Sequence, residues 1–580
     1  MNEFNWILPE YKEERIEAYM SNQIPMFQPP SEWLPPESIP NLSDAKEIAV
    51  DLETRDEKIK ELGPGWATGE GDVIGVAVAV EGWKGYFPLK HPGGGNFDEK
   101  IFYRNFKKLM ALPNRKIFHN AMYDVGWLKQ KDIQVNGNYI DTMIAAQIID
   151  ENRMGYSLNA VAKDYLGEKK NENLLYEAAK EWGVDPKGEM FKLPAQFVGP
   201  YAEQDADLTL RLWHRLESEI YKQDLVSVFS LETNILPALI EMKWRGVRVN
   251  TSRATQIKEN LLEEENALLT KIKSISGVSV DVWAARSVAK AFDAMDIPYN
   301  RTQKAKEPKF DKNFLATHNS DLAKLVVQAR EINKARTTFI DTIMKHQKKG
   351  RIHAEIHQMK SDVGGTVTGR FSMSNPNLQQ IPARNEKIGP MIRSLFIPEE
   401  GAKWGCFDYN QQEPRLVAHY AAITRNGLEG ADKVIDGYNS DLDFHGTVAE
   451  MANIDRKIAK TINLGLFYGM GKGKLKSQLG LNDEQADELF KTYHSRVPFV
   501  KQLTDQASKS AQENGFVRTL LGRKCRFDLW EPNSFGIHKP LNRDQATKEH
   551  GKNIRRAFTY KALNRLIQGS AADMTKKAIL

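Results

Sequence analysis

The 580 residues include 81 Lys and Arg against 76 Asp and Glu, for a net charge of +5, with 41% hydrophobic and 27% charged residues. This balance excludes disordered and fibrous classes, and at about 100–200 residues per folding unit the length requires several units. Cys406 and Cys525 are too few and too far apart for a disulfide framework or zinc cluster; the N-terminus has no signal-peptide pattern, and no apolar run reaches the roughly 18 residues of a membrane span.

Proline clusters in residues 27–43, FQPPSEWLPPESIPNLS, which read as an extended arm or linker. EIAVDLETRD follows with the apolar run of a strand, and residues 71–89 read as a hairpin broken at Glu81-Gly82. Helical periodicity dominates from about 100 to 220, so this part is expected to be an α/β unit. Asp51 and Glu53 stand at i and i+2 of the first strand, which puts both carboxylates on one face. Paired hard oxygens of this kind suit a divalent cation. Asn120 and Asp124 lie four apart at a helix start, and Tyr201 and Asp205 lie one helical turn apart. Taken singly, the three pieces are also explained by a solvated strand end, a helix cap and a polar helix face.

In this order and together they resemble the three motifs of the DnaQ-like proofreading nucleases. The resemblance implies an RNase H-like fold holding two Mg²⁺ ions, with Mn²⁺ as the alternative. Asp51, Glu53 and Asp205 would ligate one ion, Asp51 would bridge to a second supported by Asp124, and Tyr201 would position the attacking water.

Residues 225–345 read as mostly helical, with a long amphipathic stretch over 258–275 and a lysine-rich interruption at 300–313. In the segment that follows, Gly364, Gly365 and Gly369 permit close backbone approach. Arg370, Asn377, Gln379 and Gln380 offer donors suited to phosphates and minor-groove acceptors. WGCFDYNQQEPRLVAHY reads as a strand delivering Asp408, then a helix. In DRKIAKTINLGLFYGMGKG, Arg456, Lys460, Leu464 and Tyr468 form a stripe on one helix, with Asp455 as cap and Gly469 or Gly471 as stop. Two cations in the first turns, added to the helix dipole, make a site for a polyanion. Each segment alone is equally a polar loop, a helix cap or an amphipathic surface helix.

The series resembles family A DNA polymerases, and GFVRTLLGRKCRF and the final helix with Asn564 and Gln568 continue the likeness. The resemblance implies a right-hand polymerase of palm, thumb and fingers. In it, Asp408 and the Tyr409 carbonyl would hold metal, and Lys460 would protonate the departing pyrophosphate. Arg456, Lys460, Leu464, Tyr468, Gln411 and Glu413 would surround the nucleotide; Arg370, Asn377, Gln379, Gln380, Asn564 and Gln568 would contact DNA. Asn410, Pro414, Leu464 and Tyr560 depart from the usual residues.

The expected division is an arm at 1–40, an exonuclease at 41–222 and a polymerase at 223–580. Within the last, the thumb falls at about 250–345, the palm at 346–420, the fingers at 421–560 and a truncated palm return at 561–580. The short leader and the modest stretch between Gly246 and Thr368 resemble a phage enzyme acting in the cytoplasm on primer–template DNA, deoxynucleotides and single strands.

The family's last motif, a His-Asp pair, has no match, because the chain contains no His-Asp dipeptide. A single Asp408 is insufficient for two ions. We therefore expect weak unaided polymerisation, from either a partial reading frame or one half of a split polymerase completed in trans by a short C-terminal fragment. The rival readings are a stand-alone 3′→5′ exonuclease, which keeps its activity without such a fragment, and a non-catalytic nucleic-acid-binding protein, which shows no Mg²⁺-dependent turnover.

Overall fold

The computed structural model describes residues 25 and 27–580 apart from 138, 384, 425, 426, 442, 453, 468, 469, 471, 497 and 535; of 447, 448, 451, 452, 457, 464, 466, 467, 477, 478 and 496 it describes the backbone alone. The first unit is built on a five-stranded sheet of β1 (Glu47–Arg55), β2 (Asp72–Val80), β3 (Trp83–Pro88), β4 (Arg115–Phe118) and β5 (Tyr139–Asp141), in the order β3-β2-β1-β4-β5. β1, β2 and β3 are antiparallel neighbours, whereas β4 and β5 run parallel to β1. The expected hairpin forms as read, and Gly82 takes φ +80° at its turn, where a side chain would be strained.

Helices α1 (Ala121–Gln130) and α2 (Ala195–Lys222) pack with this sheet around Val50, Val76, Val78, Phe118, Leu208 and Leu212. The described part of the proline-rich segment lies along α2. Its Trp33 indole donates to Glu203 at 2.9 Å, and the Ser31 hydroxyl donates to the Gln196 carbonyl at 2.8 Å. Gly199 makes room for it, since a Cβ there would meet the Trp33 ring at 2.3 Å.

α3 (Val226–Arg245) leads from this unit into a second helical core with α4 (Thr251–Ser276) and α5 (Asp321–Lys334), built on Leu261, Leu268, Leu322 and Val326. A short ladder of β6 (Glu355–His357) and β7 (Ser372–Ser374) follows. A third core joins α6 (Gln412–Ile423), α7 (Arg456–Phe467), the β8 (Phe516–Arg518) and β9 (Lys524–Arg526) hairpin, and α8 (Ala562–Ile579).

One reading fails here. The strand expected to carry Asp408 is not a strand: residues 401–410 are exposed, with Phe407 99% accessible, and none of the described strands pairs with them. An apolar run suits a strand only where a neighbour completes its hydrogen bonds and covers its face.

A buried ionic cluster staples distant parts of the chain. Glu232 of α3 accepts from Lys576 of α8 at 2.6 and 2.9 Å, from the Gln358 amide at 2.7 Å and from Arg523. Arg523 also donates to Asp573 of α8 at 2.7 and 2.8 Å. Burial alone pushes the Glu232 carboxyl up, but Lys576 and Arg523 hold it below its usual value.

Candidate functional site

Alternation along β1 places Asp51 and Glu53 on one face, and α2 brings Asp205 to them. One carboxylate oxygen from each of the three lies within 4.8 Å of the others. Asp124 of α1 stands beside the same strand, its Oδ1 accepting the N–H of Leu52 at 3.1 Å. Tyr201 precedes Asp205 by one turn and is almost fully buried. The four carboxylates and the tyrosine of the sequence reading thus fall into one neighbourhood.

Burial pushes Asp51 up to about 7, helped by the charge of Asp205. Glu53 is raised well above its usual range by burial and then by Asp51 and Asp205, and Asp124 by burial and Asp51. Acids so perturbed and so close are a high-energy arrangement without a compensating cation. Asp205 Oδ1 is buried with no hydrogen-bond partner, and with the all-oxygen donor set it fits a hard divalent ion.

Several neighbours went unread in the sequence. Lys170 donates to Asp205 Oδ2 at 2.5 Å and to the Tyr201 hydroxyl at 3.3 Å, from a loop whose Glu-Lys-Lys-Asn composition resembles any solvated turn. Tyr86 reaches the cluster because Gly75, opposite Glu53 in the ladder, has no side chain; a Cβ there would lie 1.9 Å from the phenol oxygen. The Tyr86 hydroxyl bonds His91 Nε2 at 2.7 Å, and His91 Nδ1 donates to the Leu193 carbonyl at 2.8 Å. Burial pushes His91 down to about 4, so the ring is neutral and the phenol is the donor. Asn120 precedes α1 with φ 72° but its side chain caps nothing; Asp141 instead accepts the N–H groups of Asn120 and Ala121 at 3.0 and 2.9 Å.

The cluster opens into a cavity of about 690 Å³. Its lining includes Asp51, Asn120, Tyr123 and Lys170, together with His357, Asp362 and Asn375 from the later part of the chain.

The second constellation is looser. Asp408 and Tyr409 are exposed just ahead of α6, and Gln411 turns the chain into that helix with φ 52°. Arg456 begins α7 as read and pairs with Asp443 at 2.5 and 3.0 Å. Asn410, Gln411 and Arg456 line one cavity of about 250 Å³, so the two segments meet. Lys460 is exposed one turn on, while Ala459, Ile462 and Asn463 are buried. The Leu464 side chain and Tyr468, Gly469 and Gly471 lie outside the described residues.

Glu413 and Arg370 form an ion pair with each other. Asn377 caps a short turn by accepting the Gln379 N–H at 3.1 Å, the Gln379 side chain donates to the Phe371 carbonyl at 3.2 Å, and Gln380 is exposed. Gly365 and Gly369 take φ +93° and +78°, conformations that suit glycine. Asn564 and Gln568 are half-buried, one turn apart on α8.

Comparison with known proteins supplies two family matches, DNA polymerase family A over residues 251–580 and 3′-5′ exonuclease over residues 34–221. A DNA-directed DNA polymerase of Pseudomonas phage M6 is 35% identical, covering 96% of this chain and 90% of that protein. DNA polymerase DpoZ of Salmonella phage PMBT28 is 30% identical over 93% of this chain and 87% of its own. DNA polymerase I of Pseudomonas aeruginosa is 29% identical over 93% of this chain and 57% of its own. Among solved structures, the POL domain of Pol1 from M. smegmatis, in complex with DNA primer-template and dNTP, aligns with TM-score 0.70 and 22% identity, covering 93% of this chain and 85% of that one.

Proposed function

The chain belongs to DNA polymerase family A and carries a 3′–5′ exonuclease domain ahead of the polymerase body, and from this we propose how its residues divide the work between two centres. At the nuclease centre, Asp51, Glu53 and Asp205 would hold one Mg²⁺ and Asp124 would support a second, with Mn²⁺ able to substitute. When bound, the ions would supply Lewis acidity and charge neutralisation at the scissile phosphodiester. Tyr201, fixed on α2 one turn before Asp205, orients the water for attack on the last phosphodiester of a single-stranded 3′ end. The cavity wall at His357 and Asn375 keeps that strand beside the cluster.

At the synthetic centre, Asp408 and the Tyr409 carbonyl would hold the metal that neutralises the phosphates of the incoming deoxynucleotide. Arg456 and Lys460 engage its phosphates, with Lys460 the proton donor to pyrophosphate; Gln411, Leu464 and Tyr468 border the nucleotide, and Glu413 excludes a 2′-hydroxyl. Arg370, Asn377, Gln379, Gln380, Asn564 and Gln568 hold the primer–template. Catalysis of this kind is mainly positioning and charge stabilisation. The segment around Asp408, exposed and paired with none of the described strands, supports one further element of the synthetic centre: a strand with a second carboxylate laid beside it. Relatives from phages and bacteria support the reading that this work is done in the cytoplasm of a bacterial or phage-infected cell.

The observation that carries the reading is the three-carboxylate cluster with an orphaned Asp205 oxygen. A 5′-labelled primer with a mispaired 3′ end, incubated with Mg²⁺ and deoxynucleotides, tests it. The chain should shorten the primer and extend it slowly. Asp124→Ala should cut shortening by more than about 100-fold, the scale of loss already reached by changing a ligand's outer partners. Shortening that is unaffected by Asp124→Ala would refute the assignment.

A further inference from the structure

Lys170 lies between two helices, Leu158–Leu166 and Asn173–Trp182, on a loop tied at both edges. Its own N–H donates to Asn159 at 3.3 Å, and the next N–H donates to Gln204 of α2 at 2.8 Å. The side chain is only 8% accessible. It enters the nuclease cluster from the cavity side, its Nζ 4.9 Å from the centre of the Tyr201 ring and 2.5 Å from Asp205 Oδ2. Asp205 is also the carboxylate whose other oxygen lacks a partner and whose oxygen completes the three-ligand group. One carboxylate is therefore shared between a built-in cation and the place where a metal ion belongs.

We propose that Lys170 is a resident counter-ion that a divalent ion must displace from Asp205, so that it sets the metal concentration at which the exonuclease switches on. The inference rests on reading Asp51, Glu53 and Asp205 as metal ligands. Its physical basis is charge. Clustered carboxylates away from water need a cation, and Lys170 brings one to Asp205. Metal binding then exchanges one cation for another: the ammonium leaves Asp205 Oδ2 with its proton, the carboxylate turns to the ion, and no covalent bond changes. The lysine opposes the ion twice, by holding a ligand and by repelling a second positive charge, and both effects have the same sign.

The test is Mn²⁺ binding to the full chain followed by electron paramagnetic resonance, with melting temperature in EDTA read in parallel. Lys170→Met should tighten binding at the cluster by roughly tenfold, the scale on which one nearby charge moves an acid's proton affinity. It should also melt lower in EDTA and gain more from added Mn²⁺. Lys170→Arg, which keeps the charge, should retain the original midpoint. An unchanged or weakened Mn²⁺ midpoint in Lys170→Met would overturn the proposal. Asp205→Asn separates the two levels of the argument. If that variant loses the tight Mn²⁺ while Lys170→Met binds as the unsubstituted chain does, the counter-ion role alone falls. If Asp205→Asn binds Mn²⁺ normally, the ligand assignment falls and takes the inference with it.

Discussion

Burial and the neighbouring Asp205 raise the Asp51 carboxyl, and the direction of that shift has a measurable consequence. Its carboxyl moves from 3.8 to about 7, chiefly through burial and then through Asp205. The folded chain therefore holds a proton that the unfolded chain releases, and the stability linked to it is present at low pH and lost as pH rises through the folded value. In EDTA, the melting temperature should fall between about pH 4 and 7, and Asp51→Asn should reduce that fall. Saturating Mg²⁺ should reverse the trend, because binding requires the deprotonated acids. A metal-free melting temperature that rises over this range would contradict the account. At this scale Asp51, Glu53, Asp124, Tyr201 and Asp205 were legible, since strand alternation and helical spacing fix which side chains share a face. Lys170 was not: a lysine in a polar loop carries no local sign of the acid it will meet 35 positions later.

Among the elements, α3 and α8 depend on a charge cluster that no periodicity predicts. Glu232 is fully buried and faces Arg523 and Lys576, and Arg523 is shared with Asp573. Burial pushes Lys576 down to about 8, and Glu232 is its principal support. Glu232→Gln keeps the shape and removes the charge, leaving Lys576 with the Gln358 carbonyl at 2.8 Å. Such a loss should destabilise the fold by about 3–5 kcal/mol, read as a lower urea midpoint. A change below about 1 kcal/mol would show that water or a rearranged side chain satisfies the cations.

The helices themselves were legible. The 3.6-residue period marked α7, whose Arg456 and Lys460 are exposed while Ala459 and Ile462 are buried. The failure at Asp408 has the opposite cause. A helix satisfies its own backbone, whereas a strand waits for a partner that local sequence does not name.

Across the whole molecule, the nuclease cavity is lined by residues from both family regions, so the units are clasped rather than strung together. Asp362 accepts the N–H groups of Tyr156 and Ser157 at 2.8 and 3.1 Å, and Arg526 pairs with Glu151 at 2.7 Å. The order of motifs announced a nuclease before a polymerase, but these contacts join residues 206 and 375 positions apart and had no local signature. Their chemistry is ordinary; only the folded chain brings it together.

Anomalous X-ray scattering from Mn²⁺ soaked into crystals of the full chain tests the central claim most directly. A peak should appear between the carboxylates of Asp51, Glu53 and Asp205, with the Lys170 ammonium withdrawn from Asp205. Crystals saturated with Mn²⁺ that show no scatterer there, with Lys170 still on Asp205, would contradict it.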